Sequence, residues 1–161
     1  MHLARAMTVT VVALAALASG ASAQAVGSRA PVVTVTDLDG AMVTLPAPGR
    51  PALIEFWATW CEVCEELLPR VVAARRQIGT RADFFGVNVT VNESKSRVRR
   101  WVDAEKPPFR TLYDERGIAV RAYAAPATSY VVIVDAKGII RYTGSGGTQA
   151  LAAELAKVVG P

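Results

Sequence analysis

Residues 55–69 read E-F-W-A-T-W-C-E-V-C-E-E-L-L-P, from Glu55 to Pro69, and hold both cysteines of the 161-residue chain. Two cysteines separated by two residues can close a small ring, and a ring that closes easily can be opened again by an attacking thiolate. Upstream lies an apolar run with strand character, Ala52 to Trp57; downstream, from Glu62, composition and apolar spacing are helical. The pair therefore falls at a strand-to-helix turn. There the Cys61 sulfur faces the unpaired N–H groups of a helix's first turn, whose partial positive charge favours a thiolate. Cys61 is the expected nucleophile and Cys64 the resolving thiol. A purely structural clip is the competing reading, but so short a loop constrains the unfolded chain little.

Working back to the start of the chain, His2 and Arg5 precede an apolar stretch, Met7 to Ala18, that runs into Ala21-Ser22-Ala23. These are the three parts of a secretory signal peptide, residues 1–23, with cleavage expected after Ala23. Its apolar core is about 12 residues, short of the roughly 20 that a spanning helix needs. Removal of this stretch takes away the only histidine and one arginine, leaving 17 basic against 14 acidic residues and a formal charge of +3. With no histidine and no further cysteine, a zinc site within one chain lacks ligands, so no metal and no cofactor are expected. Arg70, Arg75 and Arg76, and Arg97, Arg99 and Arg100, read as solvated helix faces; without a recognition motif, nucleic acid is not an expected partner.

Residues 24–30 read as a flexible lead-in, and residues 31–161 as one domain. Val32 to Thr36, the turn Asp37-Leu38-Asp39-Gly40 and Met42 to Leu45 predict a β-hairpin ahead of the core. Ala52 to Trp57 predicts a central strand, interrupted by one carboxylate, Glu55. Buried, Glu55 would have a raised pKa and suit proton exchange with Cys64; on the strand's outer face it would simply be solvated. Periodicity does not decide between the two.

The following helix carries Val63, Leu67, Leu68, Val71 and Val72 at spacings suited to one apolar face. It should run to about Ile78 with a kink near Leu68, because Pro69 removes a hydrogen bond, and Gly79 supplies the stop. Asp83 to Val89 predicts a strand, Lys95 to Ala104 a helix, Phe109 to Tyr113 an extended segment and Ile118 to Tyr123 a short helix. Tyr130 to Val134 and Ile139 to Thr143 predict a hairpin, and Thr148 to Val159 a last helix. Strands alternating with helices imply an α/β domain with a mixed sheet covered on both faces.

F-W-A-T-W-C-E-V-C, Pro69 five residues after the second cysteine, and the closing strand, turn, strand and helix resemble the thioredoxin fold. The export signal, the D-L-D-G hairpin and the inserted stretch G-V-N-V-T-V-N-E-S-K-S-R-V-R-R-W-V followed by F-R-T-L-Y-D resemble its TlpA/ResA-like branch. That resemblance implies periplasmic or extracytoplasmic thiol–disulfide exchange by a thioredoxin-like fold with an added N-terminal β-hairpin and an inserted helical segment. It implies protein thiols and disulfides as substrates, apocytochrome c before haem attachment among them, a membrane protein as electron donor, and a monomer. Glu55 matches the branch's buried acidic position. One match fails: the family's cis-proline slot, immediately before the strand facing the cysteines, holds Ser129, and the nearest proline, Pro126, lies three residues earlier. Either Pro126 serves through a longer loop, or Thr128-Ser129 replaces the proline on a trans bond. The replacement aligns the strand without a gap and is preferred.

Trp60, Thr128 and Ser129 are the expected substrate contacts, and Glu62 and Val63, between the cysteines, the expected redox-tuning residues. Glu62, Glu65 and Glu66 disfavour a neighbouring thiolate, which points to a reductant; acidic residues in a helix's first turn also need no such reason. A thiol oxidase or isomerase is the alternative within the class, and a non-catalytic metal-binding thioredoxin-like module the alternative outside it.

Overall fold

The computed structural model describes residues 24–160, so the export signal read over residues 1–23 lies outside the described residues. Seven strands form one mixed sheet: β1 (Val33–Asp37), β2 (Met42–Leu45), β3 (Ala52–Trp57), β4 (Asp83–Asn88), β5 (Arg110–Tyr113), β6 (Tyr130–Val134) and β7 (Ile140–Gly144). They lie in the order β2-β1-β5-β4-β3-β6-β7. β3 sits between a parallel neighbour, β4, and an antiparallel one, β6, and every one of its residues is buried. Four helices complete the fold: α1 (Glu62–Ile78), α2 (Lys95–Glu105), α3 (Ile118–Ala122) and α4 (Leu151–Val159).

The added hairpin forms for local reasons. Val35, Val43 and Leu45 alternate with exposed threonines, and Thr34 and Thr44, directly opposite in register, share a hydroxyl hydrogen bond of 3.1 Å. At the turn, the Asp37 carboxylate accepts from the N–H groups of Asp39 and Ala41, and Gly40 takes the left-handed φ of 88°. Arg110 on β5 donates to the other Asp37 oxygen at 2.6 Å, which ties the hairpin to the sheet and lowers the Asp37 pKa.

The period of two along β3 divides the core. Ala52, Ile54 and Phe56 face one cluster, with Tyr123, Tyr130 and the inner side of the hairpin. Leu53 faces the other side, where Leu67, Val71, Ala74 and Ile78 of α1 meet Leu151 and Leu155 of α4. Trp57, on that same side, joins Cys61, Cys64 and Val98 of α2 in a third cluster.

α1 remains a single helix across Pro69, as the sequence predicts, and ends at Gly79 with φ 61°. Its buried line is Cys64, Leu67, Val71, Ala74 and Ile78; Val63, expected on the apolar face, is exposed because the line begins at Cys64, one residue later. α4 begins three residues later than its pattern predicts. Gln149 is turned inward instead, donating to the carbonyls of Ser129 and Gly146 and accepting from the Tyr142 hydroxyl. Residues 24–30 read as a flexible lead-in, whereas the backbone of Gly27 to Ala30 hydrogen-bonds along Gly138 to Ile140 and Ala30 is buried. The edge strand β7 leaves unpaired backbone groups that this stretch satisfies. Among the described residues no helix is long and apolar enough to cross a membrane.

Candidate redox site

Where β3 ends, Ala58 to Cys61 form a turn closed by the Cys61 N–H on the Ala58 carbonyl at 3.2 Å, and α1 starts directly after it. Cys61 is the N-cap: its backbone is extended, and its sulfur accepts from the Cys64 N–H at 3.1 Å. A sulfur in that place receives one of the orphan donors of the helix's first turn, the position that stabilises negative charge. Cys61 and Cys64 are joined in a disulfide, and both are buried. Glu62 and Val63 between them are exposed, as is Glu65 in the next turn.

Glu55 is 2% exposed, which excludes the solvated reading. It lies between Leu53 and Trp57 on β3, and so on the face that α1 and the cysteine cluster cover. Burial pushes its pKa up to about 8, and its Oε2 has no hydrogen-bond partner among the described residues. Its parallel neighbour is Gly86, where a Cβ would overlap the ring of Phe109. The Phe109 ring thus fills the place of a side chain beside Glu55, and it also packs on Trp57 at 5.7 Å between ring centres. Trp101 of α2 stacks on Trp57 from 4.4 Å. Burial, with no charged partner among the described residues, is the whole cause of the raised pKa.

Ser129 stands one residue before Tyr130, whose register partner is Phe56, so it lies opposite Trp57 and next to the cysteine turn. The peptide bonds preceding Ser129 and Pro126 are both trans. Ser129 takes the left-handed φ of 61° and is 3% exposed; its hydroxyl accepts from Gly146 N–H at 3.1 Å, and its carbonyl from Gln149 at 3.0 Å. Its oxygens are engaged inward, toward the Gly146 turn. Thr128 and the exposed Trp60 instead line an apolar groove of about 220 Å³ with Val89, Val91, Val120 and Ala127.

Glu93 is a member of this site that the sequence reading places only in a helix start. Its carboxylate reaches back to the Thr59 N–H and, at 3.1 Å, to the Thr59 hydroxyl. The Val91 carbonyl accepts from the Trp60 indole at 2.7 Å. Among the described residues no group of three or more His, Cys, Asp or Glu is placed to hold a metal ion.

The Redoxin family model matches residues 25–158. The chain is 32% identical to the thiol:disulfide interchange protein DsbE of Allochromatium vinosum, over 83% of this chain and 75% of that protein. To the thiol-disulfide oxidoreductase ResA of Bacillus thuringiensis it is 26% identical, over 83% of this chain and 78% of that one. Among solved structures it is similar to the thioredoxin domain of a thiol-disulfide oxidoreductase from Bacteroides vulgatus, with a TM-score of 0.72 and 23% identity over 84% of this chain and 99% of that chain. The architecture is thus thioredoxin-like.

Proposed function

Because the chain belongs to the Redoxin family and is a thiol-disulfide oxidoreductase of the DsbE and ResA type, we propose that it works outside the cytoplasm as a reductant of protein disulfides. The observation that carries this reading is the buried Cys61–Cys64 pair at the start of α1, with the raised-pKa carboxyl of Glu55 on the sheet face below that helix. In the dithiol form, Cys61 is the thiolate, because its sulfur accepts the first-turn N–H and meets the positive end of α1.

The Cys61 thiolate attacks one sulfur of a substrate disulfide. That bond breaks, a mixed disulfide forms, and the other substrate sulfur leaves as a thiolate that takes up a proton. Cys64 then gives its proton to the Glu55 carboxylate and attacks the Cys61 sulfur, closing the Cys61–Cys64 disulfide and releasing the second substrate thiol. Two electrons pass from the dithiol to the substrate, and a thiol pair of a membrane electron donor returns them. Trp60 and Thr128 receive the substrate chain beside the reacting sulfur, Ser129 anchors the backbone behind Thr128 through its bonds to Gly146 and Gln149, and Glu62 and Val63 tune the pair from its exposed side. Export through residues 1–23 and a monomeric state belong to the same reading.

The test uses the Cys64→Ala variant, which stops the cycle at the mixed disulfide, and an oxidised C-x-x-C-H peptide, the haem-attachment segment of an apocytochrome c. A covalent adduct at Cys61, together with release of two thiols per peptide by the reduced parent chain, is the expected result. No adduct with this peptide but one with a general protein disulfide removes the cytochrome role; no adduct with either removes the exchange reading.

A further inference from the structure

We propose that Glu93 is a positioning residue for the redox pair, holding the turn that presents Cys61 and biasing the pair toward the disulfide. The inference deepens the exchange reading above and rests on it. Glu93 lies 34 residues beyond Thr59, yet its two oxygens take the Thr59 N–H and hydroxyl, and Asn88 adds an amide donor at 3.5 Å. Asn88 is buried at the end of β4, beside Trp57 in register, and its side-chain oxygen accepts the Thr90 N–H. The connecting turn places two non-glycine residues, Thr90 and Asn92, at φ 61° and 53°. A turn that holds two residues in the left-handed region persists only where its surroundings over-determine it. Here those surroundings are the cysteine turn itself: Glu93 grips Thr59, and the Val91 carbonyl grips Trp60.

Glu93 does not serve the helix that follows it. Ser94 caps α2, accepting from the Arg97 N–H at 3.2 Å, and leaves the Glu93 carboxylate free to reach backward. Among the described residues no basic side chain forms an ion pair with that carboxylate. Its charge is fixed two residues before Cys61. A like charge held there disfavours the Cys61 thiolate and with it the dithiol form.

The parent chain, Glu93→Gln, Glu93→Ala and Thr59→Val are each brought to equilibrium with glutathione, and the dithiol fraction is read by alkylation and mass. Glu93→Gln keeps an acceptor for the Thr59 N–H but no charge. It is expected to shift the equilibrium about threefold to tenfold toward the dithiol, about 15 to 30 mV, without the loss of attack rate that follows when the turn is released. Glu93→Ala is expected to shift the equilibrium in the same direction and also to slow that attack about tenfold, because the turn is no longer held. Should Glu93→Ala not fold, Thr59→Val carries the rate measurement with an expected threefold loss. An equilibrium constant for Glu93→Gln equal to the parent's, or rates in the other two variants equal to the parent's, overturns the proposal. The glutathione equilibrium needs no protein substrate, so it judges Glu93 separately from the reading above, which fails instead if the parent chain reduces no protein disulfide.

Discussion

At Glu55 the physical question is what a lone buried carboxyl does to a fold as pH changes. Its pKa is about 8 in the folded chain against 4.5 for the ordinary side chain, and the cause is burial. Between those values the folded chain binds a proton that the unfolded chain has lost, so stability falls as pH rises from about 4.5 and levels off above about 8. By linkage the full loss is on the order of 3 to 5 kcal/mol. We expect Glu55→Gln to remove this slope, leaving the oxidised variant more stable than the parent at pH 9 by a few kcal/mol and nearly equal to it at pH 5. Urea denaturation at the two pH values measures this; an unchanged slope would mean that water reaches the carboxyl. The same group predicts a kinetic effect of opposite benefit. On the proposed mechanism, in which Glu55 accepts the Cys64 proton, it acts when ionised, so resolution of the mixed disulfide should accelerate as pH rises through about 8. In Glu55→Gln the rate should lose that limb and fall about a hundredfold at pH 8, read by stopped-flow release of the substrate thiol.

The dryness that sets Glu55 is a property of elements rather than of one side chain. Strands β3 and β4 pair Glu55 with Gly86, and the loop through Pro107 and Pro108 lays the Phe109 ring over the vacant position. Gly86→Ala should therefore push that ring off the sheet, costing about 1 to 3 kcal/mol, and let water reach Glu55. The pH limb of the resolving step should then move down toward 4.5, whereas a limb that stays near 8 would show that the ring does not seal the carboxyl. Much at this scale was legible in the residues: β3 is an apolar run broken only by Glu55, α1 has its helical spacing and its Gly79 stop, and the first hairpin carries its turn chemistry at Asp37 to Gly40. Those signals are local and periodic. What escaped the sequence depends on contacts between distant segments. Nothing in E-S-K places Glu93 on Thr59, and an alternating strand does not say on which side Glu55 faces. Nor does the sequence disclose that the oxygens of Ser129 turn toward Gly146 and Gln149, or that Gln149, ahead of α4, bonds back to Ser129 just before β6.

Taken as a whole, the molecule distributes its charge unevenly about the redox pair. Glu62, Glu65 and Glu66 lie in the first turns of α1, Arg70, Arg75 and Arg76 follow along the same helix, and Glu93 closes the site from the other side. Acidic residues at the N-terminal end and basic ones toward the C-terminal end suit the helix dipole. The same arrangement puts negative charge in the first turn that follows Cys61, opposing the first-turn N–H groups that favour its thiolate. If the acidic surroundings win, the disulfide is the favoured state and the chain donates electrons: its reduction potential should lie below that of the glutathione pool, roughly −250 mV or lower. The two contributions respond differently to salt. Charges on exposed side chains such as Glu62 and Glu65 are screened within a Debye length of about 8 Å at physiological ionic strength, and of about 3 Å at 1 M. The buried hydrogen bond from Cys64 N–H to the Cys61 sulfur is not. Raising the salt from 0.05 to 1 M should thus relieve the repulsion while keeping the helix contribution, moving the glutathione equilibrium toward the dithiol by about twofold to fivefold. Glu62→Gln should begin closer to the dithiol and respond less to salt. A potential insensitive to salt in both chains would place the origin of the redox bias in the part-buried contact of Glu93 with Thr59 and the buried surroundings of the pair rather than in the acidic first turns of α1.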